Sequence, residues 1–104
     1  LWQSRHSSII ALLQSLNLHI ICLQEFWFKN VAFAQLYKSQ LLSKYSFYSL
    51  PRTGTLDDGL AILIDQTELR VIDQHQLTLN DIGTRVALLL HLEHQNRPLP
   101  VVTL

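Results

Sequence analysis

Among the residues whose type and position could do chemistry, Glu25 stands first. It directly follows the apolar run Ile20-Ile21-Cys22-Leu23 and the polar Gln24. A carboxylate at the end of a buried strand is held by rigid backbone yet stays open to solvent and cations. Magnesium prefers hard oxygen ligands, takes one or two carboxylates from the protein and completes its shell with water and phosphate oxygens. One fixed glutamate meets that demand. Gln24 beside it can orient a ligating carboxylate through an outer hydrogen bond. The plain alternative is a solvated strand terminus with Gln24 facing water, because so short a motif is weak on its own.

Arg52, in the turn Pro51-Arg52-Thr53-Gly54, and Arg85, after Gly83, are the cations that could meet a phosphate. A guanidinium matches phosphate oxygens two at a time. Structural ion pairs with Asp57, Asp58 or Asp81 are the favoured role, and Asp58 before Gly59 either shapes a turn, the preferred reading, or approaches the site. His91, Glu93 and His94 suggest zinc only superficially, since strand positions three apart face opposite ways. The sequence holds no Gly-x-Ser-x-Gly elbow, phosphate-cradling glycine loop or dinucleotide fingerprint, which argues against serine hydrolases, nucleoside triphosphatases and Rossmann enzymes. Phe26-Trp27-Phe28 can stack on a base, cover a lipid or simply pack the core.

These residues must be positioned by a globular chain. Of its 104 residues 48% are hydrophobic and 15% charged, a composition far from disorder. Eight basic and eight acidic residues leave no net charge. That excludes the clustered basic surface that grips a nucleic acid backbone by counterion release. No apolar stretch nears the roughly 20 residues that span a bilayer. The single Cys22 reads as a small buried hydrophobe and fits a reducing, intracellular setting. The chain opens at Leu1 without a methionine and stops inside the apolar run Leu99 to Leu104. The expectation is therefore a portion of a larger domain, truncated at both ends. Nothing in the sequence speaks to oligomeric state.

Apolar positions Ile9, Leu12, Leu13 and Leu16 recur at helical spacing from Ser4 to Leu16, with Arg5, His6 and Gln14 opposite and Asn17 as terminator. Leu18 to Leu23 reads as a strand buried on both faces, ended by Gln24-Glu25. Asn30 can cap a second helix reaching about Leu42, with Phe33, Leu36, Tyr37 and Leu41 inward. Strands are then expected over 45–50, 59–65, 68–76, 85–93 and 99–104, with turn chemistry at Gly54 and at Asn80-Asp81-Ile82-Gly83. Helix, strand, helix and a succession of strands make an α+β domain. Strands apolar on both faces require layers on both sides of each sheet.

Ile20-Ile21-Cys22-Leu23-Gln24-Glu25, preceded by Trp2, Arg5 and the first helix, resembles the first metal-binding signature of the endonuclease/exonuclease/phosphatase family, the DNase I-like hydrolases. Asp58 to Leu63, Arg85 to Leu89 and Pro100 to Leu104 are similar, in order, to core strands of that family, and the spacing around 80–87 is most similar to a plant branch. The resemblance implies the N-terminal half of a four-layered α/β sandwich whose two sheets present the active site at one edge. It implies Mg2+, or Mn2+ in its place, on Glu25, with phosphate polarised by the metal and water activated by an aspartate. It also implies a phosphorylated substrate, whether nucleic acid, sphingolipid headgroup or inositol phosphate. The family's opening strand and asparagine, its histidine and its Asp-x-Asn and Asp-His segments have no counterpart in residues 1–104. The expected function is therefore a fragment of a metal-dependent phosphoester hydrolase, inactive alone. The alternative is a degenerate, non-catalytic copy that acts at most as a binding module.

Overall fold

The computed structural model describes residues 1–52, 56–79 and 85–104. The turns expected at Gly54 and at 80–83 lie outside the described residues.

Helix α2 (Val31–Leu41) follows from its local sequence. Asn30 precedes it in extended backbone, and its side-chain oxygen accepts the Phe33 N–H at 3.0 Å. One otherwise orphaned amide of the first turn is thereby satisfied, worth about 1 kcal/mol. Phe33, Tyr37 and Leu41, spaced by four, are buried as expected.

Helix α1 (Trp2–Leu16) ends at Asn17 in left-handed backbone, φ 51° and ψ 49°, a conformation asparagine tolerates. Its buried face differs from the expected one. Leu12 and Leu16 are more than half exposed, whereas Leu13 packs toward the core as expected, joined by Ile10 and Trp2. His6, expected outward, lies with its Nδ1 2.8 Å from the Tyr37 hydroxyl and its ring 4.8 Å from that of Phe33. Aliphatic side chains surround this helix, so spacing alone leaves the face undecided. The rings of α2 decide it by stacking against Trp2 and His6.

Strands β1 (Ile20–Trp27), β2 (Tyr45–Pro51) and β3 (Asp58–Asp65) form one antiparallel sheet in the order β1-β3-β2. A second antiparallel sheet holds β4 (Arg70–Thr78), β5 (Val86–His94) and β6 (Arg97–Thr103) in sequence order. Strand β4 starts later than expected because Asp65 builds a turn first. Its Oδ1 accepts the Thr67 N–H at 3.0 Å and the Thr67 hydroxyl at 2.8 Å. Strand β6 starts earlier, since Gln95 and Asn96, with φ of 51° and 65°, make a two-residue hairpin turn.

Central strand β3 joins two cores. Ala61 and Leu63 pack with Ile21, Phe26, Phe33 and Tyr37 beneath the helices. Leu60, Ile62 and Ile64 pack with Val86, Leu88, Leu90 and Leu92 of the second sheet. Helices, sheet and sheet are thus three successive layers of an α+β sandwich. Cys22 corrects one expectation: it is exposed. It lies on the edge strand β1, while β5 packs across β2 and β3.

Candidate active site

The sequence reading ended β1 at Gln24-Glu25; the structure carries the strand on to Trp27 through a bulge. Leu23 pairs with Ala61 and Phe26 with Gly59, so Gln24 and Glu25 together stand opposite the single residue Leu60. Glu25 adopts φ 57° to make room. Side chains alternate along a regular strand, and an inserted residue resets that count. Ile21, Leu23 and Phe26 consequently all face the helices. Gln24 and Glu25 both turn into a cleft where the two sheets meet. What draws the strand past Glu25 is Phe26, 3% exposed, whose ring packs 5.0 Å from Phe33 and 5.5 Å from Tyr37.

Gly59 makes the bulge's neighbour possible. A Cβ there would lie 2.7 Å from Pro51 Cα and 2.8 Å from Phe28 Cε2, and would press on the Leu50 carbonyl oxygen. Only a residue without a side chain lets β2, β3 and Phe28 close together at this point.

The cleft encloses about 520 Å³ and is lined by Gln24, Glu25, Arg52, Asp58, Leu60, Arg85, Val86 and Leu104. The bulge of β1, the ends of β2 and β3 and the start of β5 all contribute, so it sits at one edge of the sandwich. All four residues singled out in the sequence, Glu25, Gln24, Arg52 and Arg85, are brought together here.

Their individual roles are distinct. The Glu25 carboxylate is exposed to the cleft. The Gln24 amide nitrogen donates to the Leu104 carbonyl at 3.0 Å, tying β1 to the end of β6 in the other sheet. Its described hydrogen bond therefore spans the sheets; it does not orient Glu25. Arg52 donates its backbone N–H to the Asp58 carbonyl at 3.0 Å, and its Nη1 lies 3.4 Å from both carboxylate oxygens of Asp58. The ion pair considered for Arg52 thus exists, and it holds the guanidinium on the cleft wall. Asp58, read from sequence as a turn residue, is the first residue of β3 and lines the cleft. Arg85 is exposed on the cleft wall beside β5, its carbonyl accepting the Leu79 N–H at 2.9 Å.

Two other sequence readings resolve simply. His91 and His94 point to opposite faces of β5, and among the described residues no group of three or more His, Cys, Asp or Glu side chains could hold a metal. The aromatic trio divides: Phe26 is buried, Phe28 half-buried against it at 5.0 Å, and Trp27 40% exposed. Sequence reasoning missed the bulge and, for Asp58, favoured a turn over the approach to the site that it also considered. The available signal was the spacing of Leu23 and Phe26, three apart yet both apolar, opposite a strand whose second residue is Gly59.

No protein-family model matches the chain. An uncharacterized calcium-binding protein of Arabidopsis thaliana is 39% identical over 94 residues, which are 89% of this chain. The chain spans about a fifth, 19%, of that relative's length. Among solved structures, the human Nocturnin catalytic domain with bound sulfate superposes with a TM-score of 0.78 at 19% identity, over 98% of this chain and 42% of that one. An endonuclease/exonuclease/phosphatase from Bacteroides vulgatus does so at 0.76 and 15%, over 97% and 43%. The chain has the endonuclease/exonuclease/phosphatase fold. ANGEL2, described as a 2',3'-cyclic phosphatase and solved with adenosine-2',3'-vanadate, shares this fold with a TM-score of 0.79 at 22% identity, over 91% of this chain and 29% of its own. Residues 1–104 hold one helix layer and two three-stranded sheets that flank the cleft.

The donor set is one of hard oxygen. Glu25 is an exposed carboxylate, whereas the Asp58 carboxylate is engaged by Arg52. A single oxygen ligand fits magnesium, which keeps most of its water and phosphate oxygens, and does not fit a zinc site built from four protein donors.

Proposed function

We propose that the chain forms the N-terminal portion of the catalytic domain of a magnesium-dependent phosphoester hydrolase, with Glu25 as a metal ligand. The observation that carries this reading is convergence: an exposed carboxylate on a bulge and two guanidiniums share one cleft at the sheet edge. The similarity to an endonuclease/exonuclease/phosphatase and to a 2',3'-cyclic phosphatase supports the class of reaction.

Glu25 would hold Mg2+, or Mn2+ in its place, and the bound ion supplies Lewis-acid polarisation of the phosphoryl oxygen. Arg52 and Arg85 would hold nonbridging phosphate oxygens in charge-assisted hydrogen bonds. Asp58 keeps Arg52 from swinging into solvent. Gln24 fixes the separation of the sheets beside Glu25, and Leu60 with Val86 keeps that side of the cleft apolar, strengthening the electrostatics within it. One carboxylate and two cations leave water activation to other residues. Residues 1–104 alone are therefore expected to be inactive.

The test is calorimetric titration of the full-length protein with Mg2+ and Mn2+, alongside hydrolysis of bis(p-nitrophenyl) phosphate. Glu25→Gln should abolish metal binding and turnover while leaving the far-ultraviolet circular dichroism unchanged. Full turnover by Glu25→Gln would refute the assignment. Magnesium-dependent turnover by residues 1–104 alone, lost in Glu25→Ala, would refute the expected inactivity.

A further inference from the structure

We propose that His75 and His91 form a two-imidazole site for a divalent transition ion on the outer face of the second sheet, with Asp73 orienting His75. The site takes nitrogen-seeking Zn2+ where the Glu25 cleft offers oxygen, and it stands independently of the phosphoester reading.

Strand pairing, not sequence proximity, brings these residues together. Glu93, next but one to His91 in the chain, is held by Arg70 at 2.7 Å, and His94 faces the other way. The partners of His91 come from β4 through a bulge. Val71 pairs with Leu92 and Asp73 with His91, so Ile72 is the inserted residue and is left 53% exposed. That insertion resets the alternation of side chains. Asp73 and His75 thereby share the face of His91 and Leu89, which they oppose across the ladder. Leu88, Leu90 and Leu92 occupy the opposite face, buried between the sheets.

The rings of His75 and His91 have centroids 5.5 Å apart and planes at 85°. A tetrahedral Zn2+ with Zn–N bonds of about 2.0–2.1 Å holds two imidazole centroids roughly 5 Å apart. The pair therefore stands close to the separation a shared ion requires. Asp73 Oδ2 lies 3.1 Å from His75 Nε2. A histidine that gives one ring N–H to a carboxylate presents its other nitrogen as a more basic ligand, the usual arrangement around bound zinc. Among the described residues no three-donor group exists, so the site offers two nitrogens and leaves the other positions to water. Asp73 and His91 border a cavity of about 420 Å³ that gives this water room. Imidazole suits zinc, whereas magnesium demands oxygen.

The site lies apart from the cleft. Val86 lines the cleft at the start of β5, and His91 is roughly 17 Å further along the strand, on its other face. An ion here acts on β4. Gln74, Gln76 and Thr78 oppose the buried Leu90, Leu88 and Val86 yet are themselves exposed, so β4 is an edge strand held chiefly by β5. An ion shared between His75 and His91 fastens that edge.

The experiment titrates the full-length protein with Zn2+ in excess Mg2+ by calorimetry and follows amide hydrogen exchange across residues 70–78. His75 and His91 are exposed, so their removal leaves the core intact. His75→Ala and His91→Ala should each remove the same one zinc, and the double variant should remove no more. Asp73→Asn should weaken that zinc by about 10- to 100-fold. His94→Ala should change nothing. Zinc should slow exchange in β4 of the unaltered protein and leave it unchanged in His75→Ala. Unaltered zinc stoichiometry in either His75→Ala or His91→Ala, an equal loss in His94→Ala, or displacement of the ion by Mg2+ overturns the proposal.

Discussion

Glu25 occupies backbone that glycine would occupy more cheaply, and this can be measured. At φ 57° an L-residue carries a penalty of roughly 1–2 kcal/mol that glycine avoids. Glycine in turn loses more freedom on folding, costing about 0.5–1 kcal/mol relative to alanine. Because Glu25 is exposed, trimming its side chain removes little packing. Glu25→Gly should therefore be more stable than Glu25→Ala by about 0.75 kcal/mol, the difference between the midpoints of those two ranges. For a domain of this size that is roughly 3–6 °C in Tm. The assay is thermal and urea denaturation of both variants without added metal, with magnesium titration in parallel. Both variants should lose magnesium binding, while glycine alone gains stability. Equal stability, or a less stable glycine variant, would show that the bulge is not strained at Glu25 and that its backbone conformation is not held in place for the carboxylate.

Gly59→Ala should destabilise the protein by about 1–3 kcal/mol or more, because Leu50 and Pro51 present backbone atoms that cannot yield; urea denaturation checks this, and an unchanged midpoint would refute the close approach. Burial, and secondarily Arg5, lowers the His6 pKa below its ordinary 6.5, so the fold keeps its full His6 contribution above pH 6.5 and loses it as pH falls below that value. His6→Gln should flatten the stability profile in that window. Burial would raise Asp65, but the Thr67 hydrogen bonds and Lys44 at 3.9 Å outweigh it, and its pKa lies below the ordinary 3.8. Its contribution is present above pH 3.8 and lost on acidification below it, so Asp65→Asn should reduce the steepness of acid unfolding there.

Much of this architecture was legible because side-chain chemistry announced it. Asn30 capped the helix it was expected to cap, and Asn17 ended the one before it. The apolar runs of β3 and β5 gave strands buried on both faces. The misreadings share a cause, which is that the deciding partner lay elsewhere in the chain. The inward face of α1 is set by Phe33 and Tyr37, more than 25 residues away in sequence. Cys22 is exposed because of where β5 crosses, which no local pattern records. The bulge was hidden for a different reason: left-handed backbone is usually flagged by glycine or asparagine, and here a glutamate adopts it. Glu25 was thus singled out for its carboxylate, while the bulge that turns it into the cleft was not foreseen.

The Gln24–Leu104 hydrogen bond spans a sequence separation of 80 residues. Hairpins such as β5–β6 can zip up from neighbouring residues, but this bond must wait until nearly the whole segment has emerged and the sheets have docked. The cleft is accordingly expected to mature late, so a nascent or half-assembled chain would present Glu25 without the wall that faces it. Reactivity at this edge would then report on completed folding.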